Sequence, residues 1–82
     1  MSYFDYPLQY INKKLGDATP AEVQEVIDRL EKTADGVKRN AAWLREVIKG
    51  LNPKQTIRSQ YKNDKSIRAA AVKHGAASPT II

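Results

Sequence analysis

From Val23 to Leu51 the apolar side chains keep a seven-residue step. Val23, Leu30, Val37, Leu44 and Leu51 lead it, and Ile27, Ala34, Ala41 and Ile48 follow each of the first four by four residues. Such a stripe is the signature of a helix with one apolar face. Both ends of the stripe are marked. Thr19-Pro20-Ala21-Glu22 offers an N-cap hydroxyl, a proline at the first helical position and a glutamate that closes a capping box. Lys49-Gly50-Leu51-Asn52-Pro53 offers a glycine for the left-handed position after a helix, followed by a proline that cannot continue the turn.

These signals predict one long amphipathic helix over about 20–49, roughly 45 Å long at ~1.5 Å per residue. Asp35-Gly36 offers the alternative, a hairpin of two shorter helices broken at Gly36. The phase of the stripe across the glycine favours the continuous helix. So does the absence of a capping residue after it, with Lys38 and Arg39 carrying the wrong sign for a helix start. Position three after each leader is Val26, Thr33, Asn40 and Val47, so the middle of the stripe is polar or small. Asn40 there either sets the register of a helix pair or sits in water at the stripe's edge. Glu25–Arg29, Asp28–Lys32 and Asp35–Arg39 place an acid four residues before a base, the favourable order for ion pairs along a helix.

On either side of this segment the pattern changes. Four of the six aromatic residues, Tyr3, Phe4, Tyr6 and Tyr10, fall in the first ten positions. Pro7, the helical spacing of Leu8, Ile11 and Leu15, and Gly16 predict a short N-terminal helix. This aromatic arm either folds back over the stripe or serves as a binding hook. After Pro53, two short basic helices are predicted. Asn52-Pro53-Lys54-Gln55 would start the first and carry it through Tyr61, with Lys54, Arg58 and Lys62 in one ridge; the second covers Ser66–Gly75. The expectation is therefore an all-α single domain over 1–82, made of an aromatic arm (1–16), a long helix (17–52) and a basic helical segment (53–82).

Ser66-Ile67-Arg68-Ala69-Ala70-Ala71-Val72-Lys73-His74-Gly75, continuing through Ala76, Ala77 and Ser78 to Pro79-Thr80-Ile81, resembles the front of a helix-turn-helix unit of the resolvase and transposase kind. The resemblance covers about a fifth of the chain. It implies that Ala71 is the small residue at the helix crossing, Gly75 the turn glycine and Ile81 a buried residue of the second helix. Ala76 departs from the larger apolar residue usual in that turn. The sequence also stops before most of a recognition helix, so base reading by such a helix is not expected.

Charge sharpens the division of the chain. Residues 1–52 hold eight basic and eight acidic residues, whereas 53–82 hold Lys54, Arg58, Lys62, Lys65, Arg68 and Lys73 against Asp64 alone. The whole net charge of +5 lies in the last segment. That imbalance points to an anionic partner, most simply nucleic acid touched by those six residues. A stripe too long for a small chain to cover alone predicts self-association or a protein partner. The expected interface is Leu30, Val37, Leu44 and Ile48 together with Tyr3, Phe4, Tyr6 and Tyr10.

His74 is the only histidine and there is no cysteine, so no metal cluster of histidine and cysteine and no disulfide framework can be built. No nucleophile–base spacing and no glycine-rich phosphate loop occurs, and no cofactor or enzymatic activity is expected. No membrane span or signal peptide is legible, which suits a cytoplasmic protein. The function expected is that of a non-enzymatic helical interaction protein, an assembly, adaptor or inhibitor subunit. The alternative is a small DNA-binding protein, such as an accessory regulator of a phage or plasmid.

Overall fold

The Thr19–Glu22 capping box forms. The Thr19 amide donates to Glu22 Oε1 at 2.9 Å, and the Glu22 amide donates to Thr19 Oγ1 at 3.3 Å. From it runs α1, Pro20–Lys32, in a computed structural model that describes residues 2–32 and 38–76. The remaining helices are α2 (Lys38–Ile48), α3 (Ile57–Gln60) and α4 (Lys65–His74). The chain is all-α, and the described residues include no strand, only an isolated antiparallel bridge between Pro7 and Lys14.

The continuous helix over 20–49 gives way to two helices packed on each other, α1 against α2. In one straight helix Glu31 and Arg45 would stand about 21 Å apart. Here their side chains form an ion pair at 2.5 Å. Pairing α1 with α2 lets each apolar face cover the other, which a lone 45 Å rod in a chain of this size could not do. Gly36, the proposed break, lies outside the described residues, as do Val37, Ala34 and Asp35. Along α1, Val23, Val26, Ile27 and Leu30 are buried, and along α2 Ala41, Trp43, Leu44 and Val47. Of the surface pairs, Glu25–Arg29 forms at 3.5 Å, while Asp28 accepts from Gln24 at 3.0 Å instead of pairing with Lys32.

Trp43 lies one position off the heptad stripe and has no exposed surface. A buried indole must place its N–H. Trp43 Nε1 donates to the backbone carbonyl of Ile67 at 3.0 Å, which pins α4 to α2. The rings of Tyr3 and Tyr6 meet Trp43 edge to face, with centroids 5.6 and 4.9 Å away. The aromatic arm thus folds back over the helices, with Tyr3, Phe4 and Leu8 buried.

The arm is not the α-helix expected from Pro7. It consists of two 3-10 turns, Tyr3–Asp5 and Leu15–Asp17, joined by a tight loop in which the Leu8 amide donates to the Lys13 carbonyl and the Leu15 amide to the Tyr6 carbonyl. Pro7 disfavours helical backbone at the residue before it, and Tyr6 is extended at φ −60°, ψ 123°. Tyr10 and Asn12 adopt positive φ, which closes the loop and prevents a regular helix. Gly16 does not end a helix either. A Cβ there would stand 2.8 Å from Phe4 Cβ and 3.1 Å from its carbonyl oxygen, so the glycine lets two backbone segments touch.

The chain after α2 is shorter in helix than expected. Gly50 takes φ +79° as the predicted C′ residue. Asn52 does not start a helix; its Oδ1 accepts from the Lys54 amide in a turn, and Thr56 caps α3 by accepting from the Ser59 amide. Gln60 folds back on the Asn52 amide and carbonyl and closes this loop. The Ile57 amide donates to the Ala18 carbonyl at 2.8 Å, tying α3 to the segment before α1. At the far end of α4, the Gly75 amide donates to Val72 and the Ala76 amide to Ala71, a Schellman cap at φ +65°.

Two substitutions test this packing. Trp43→Phe removes the indole N–H bond to the Ile67 carbonyl and leaves part of the indole's space in the core empty, an expected loss of about 2 kcal/mol and a melting temperature lower by roughly 8–16 °C. Gly16→Ala, which commonly stabilises a loop, should here destabilise by about 1–3 kcal/mol in urea titration, because the added methyl meets backbone.

Acid should weaken the protein through three carboxylates, those of Asp64, Glu22 and Glu46, which all lie below their ordinary range. The Tyr3 amide, first, and Arg68 hold the Asp64 carboxyl below its ordinary range; Lys13, first, and the Thr19 amide do the same for Glu22. A lowered folded pKa contributes stability that is present above the unfolded value of about 4 and lost as pH falls through the folded one. Burial raises the Tyr6 and Tyr61 hydroxyls, whose contribution is present below about 10 and lost as pH rises further. The melting temperature should therefore be level between about pH 5 and 9 and fall on both sides. Asp64→Asn should make the acid fall shallower; an unchanged acid limb would contradict the tether.

Candidate docking surface

Lys54, Arg58 and Lys62, expected in one ridge, do not share a helix. Lys54 lies in the turn before α3 and Lys62 after it, because α3 is a single turn, Ile57–Gln60, capped by Thr56. Arg58 is drawn away, lying 3.6 Å from Asp17, 3.9 Å from Asp5 and over the Phe4 ring at 5.1 Å. Arg68 pairs with Asp64 at 3.3 Å and lies over the Tyr3 ring. Lys73 pairs with Glu46 at 3.2 Å. Only Lys54, Lys62 and Lys65 of the six basic residues of 53–82 are exposed with no acid within 4.0 Å among the described residues.

The same asymmetry holds across the chain. Of the described acids, Asp5, Asp17, Glu22, Glu25, Glu31, Glu46 and Asp64 each face a basic partner, and Asp28 accepts from Gln24. Lys32, Lys38, Arg39 and Lys49, with the three lysines above, have no described acid within that distance. The excess positive charge is therefore carried on side chains free of described acids, where it acts on whatever approaches.

The expected protein interface is largely interior. Tyr3, Phe4, Leu30 and Leu44 are buried within the chain itself, which removes them from any outer surface. Tyr6 is half-buried, its hydroxyl accepting from Asn40 Nδ2 at 3.4 Å, so Asn40 ties the arm down at the edge of the stripe. Val37 lies outside the described residues. Tyr10 stays 51% exposed, with Arg29 over its ring at 5.7 Å. Ile48 is half-buried and reaches a groove.

That groove runs over α2 and the end of α4. Its lining is Ala42, Arg45, Glu46 and Ile48 from α2, Lys49 just after it, Lys73 and His74 from α4, and Gln24 from α1. Glu46 is its hub, with Oε1 2.9 Å from His74 Nε2 and 3.2 Å from Lys73 Nζ. His74, first, and Lys73 hold the Glu46 carboxyl below its ordinary range. Sequence reasoning missed this cluster, although Ala42, Arg45, Glu46 and Lys49 already fall on one helical face. A second, smaller depression along α4 is lined by Asp64, Lys65, Arg68, Ala69 and Val72, with Val72 76% exposed.

Among the described residues no group of three or more His, Cys, Asp or Glu side chains is placed to hold a metal ion, and no helix is long and apolar enough to cross a membrane. No protein-family model matches the chain, and no curated protein or solved structure is significantly similar to it.

Proposed function

We propose that the chain is a small non-enzymatic binding module for a polyanion, with nucleic-acid phosphate the partner that its exposed lysines suit best. The observation that carries this reading is the uneven pairing of charge. The acids are engaged within the fold, while Lys54, Lys62 and Lys65 stand exposed in the turns around α3 and at the start of α4. Lysines placed in this way contact phosphate as point charges and carry no base specificity. The helix-turn-helix resemblance adds to the reading through α4 and its glycine cap. Its second-helix positions, Ser78 to Ile81, lie outside the described residues, so base reading forms no part of the proposal.

A protein-docking adaptor is the second reading, supported by the groove on α2 and α4 and by exposed Tyr10. Self-association through the stripe loses its motive, since Leu30 and Leu44 are covered within one chain.

Fluorescence anisotropy with a labelled duplex at rising salt tests the nucleic-acid reading. Three phosphate contacts predict a log–log slope of about −2.7, from ~0.9 per contact. Replacing Lys54, Lys62 and Lys65 together by glutamine should weaken binding to all duplexes alike and flatten the slope. Strong preference for one duplex over its scramble would overturn sequence-independent contact. Absence of binding at about 50 mM salt would overturn the nucleic-acid reading and leave the adaptor.

A further inference from the structure

The groove over α2 differs from the exposed lysines in having a floor. Ala42, Arg45, Glu46 and Lys49 recur at helical spacing along one face, and half-buried Ala42 and Ile48 supply apolar surface between the charged side chains. Alanine is the smallest side chain on that face, so an approaching residue can come close to the α2 backbone there. Around this floor stand Arg45, Lys49, Lys73 and His74, against Glu46 as the one acid in the lining. Arg45 is held by Glu31 from α1, and Lys73 and His74 share the single oxygen Glu46 Oε1. Lys49 has no acid within 4.0 Å among the described residues.

We propose that this groove docks an acidic peptide segment of a partner protein, with an apolar side chain over Ala42 and carboxylates directed at Lys49 and Lys73. Glu46 already demonstrates the recognition internally, as one carboxylate oxygen gathers an ammonium and an imidazole. The carbonyls of Ala71 and Val72 at the end of α4 are capped by the Gly75 and Ala76 amides and do not confront an incoming acid. A nucleic-acid strand suits the groove less well. Its sugar–phosphate backbone would leave the apolar floor of Ala42 and Ile48 uncovered. A volume of about 850 Å³ admits a few side chains of a peptide laid across the helices. The proposal does not depend on the nucleic-acid reading, since Lys54, Lys62 and Lys65 lie outside this lining or on the other side of α4.

The test uses the full chain and a labelled peptide of roughly 14 residues, about four helical turns, with leucine at helical spacing and glutamate elsewhere. An all-glutamate peptide and a labelled duplex serve as comparisons. The leucine–glutamate peptide should bind at least about tenfold more tightly than the all-glutamate one. Ala42→Leu, which fills the floor with a good helix former, and Lys49→Glu, which reverses the unpaired charge, should each weaken peptide binding by about tenfold. Glu46→Gln should strengthen it several-fold by releasing Lys73 and His74. Ala42→Leu should leave duplex binding unchanged, so failure here is distinguishable from failure of the nucleic-acid reading. Circular dichroism confirms that each variant folds, and Lys49→Glu, on an exposed position, decides the matter if Ala42→Leu does not. No peptide binding by the native chain would overturn the proposal. So would peptide binding indifferent to both substitutions, or loss of duplex binding in Ala42→Leu, which would make the groove a nucleic-acid site.

Discussion

The indole N–H of Trp43 is fully buried and so needs a partner, which is the carbonyl of Ile67. That requirement brings α4 onto α2. The same indole then packs edge to face with the rings of Tyr3 and Tyr6, which draws the arm across the helices. A second bond closes the circuit, because the Tyr3 amide donates to Asp64, the residue before α4. Asp64 thereby gives up the capping role open to it, and Asn63 accepts from the Lys65 amide instead. In a chain without cysteine, these ties make one core out of the arm, the packed pair α1 and α2, and short basic α4.

Placing Trp43 at the centre spends the apolar stripe internally. α2 is buried on two sides, by the stripe residues Ala41 and Leu44 and by Trp43 and Val47 beside them. Tyr61 adds to the second side, its hydroxyl donating to the Val47 carbonyl at 2.6 Å. What remains of α2 for other molecules is its third side, Ala42, Arg45 and Glu46, which with Lys49 just beyond the helix lines the groove. Surface chemistry in this protein is therefore mainly electrostatic. Acids close most of the internal pairs and lysines are left over, so exposed charge is more one-sided than composition alone implies.

The arm shows the cost of such an arrangement. Its loop holds Tyr10 at φ 74° and Asn12 at φ 53°, the first an unusual conformation for an aromatic residue. The strain is offset by burial of Tyr3, Phe4 and Leu8 and by the backbone bonds around Pro7 and Lys14. It leaves Tyr10 at the tip of the loop, more exposed than the other arm aromatics and steadied by Arg29.

Helix ends and the all-α class were legible because they are decided within a few residues. The Thr19–Glu22 box and the left-handed glycines at 50 and 75 are bonds and dihedrals that neighbours impose on one another. The seven-residue stripe could not separate one long helix from two packed ones, since each half carries its own apolar face and keeps phase either way. The Lys54–Arg58–Lys62 ridge failed for a related reason. Thr56 caps α3 four residues after Asn52, and Arg58 is claimed by Asp5 and Asp17, acids remote in sequence and close only once the arm folds back. Gly16 read as a helix stop, but its true constraint is contact with Phe4. The groove was invisible for the same cause: Glu46 meets Lys73 and His74 across nearly thirty residues of chain. Local hydrogen bonding and periodicity determined which segments are helical. The choice of partners for Trp43, Arg58 and Glu46 depended on burial and charge brought together in three dimensions, and no spacing along the chain encodes that.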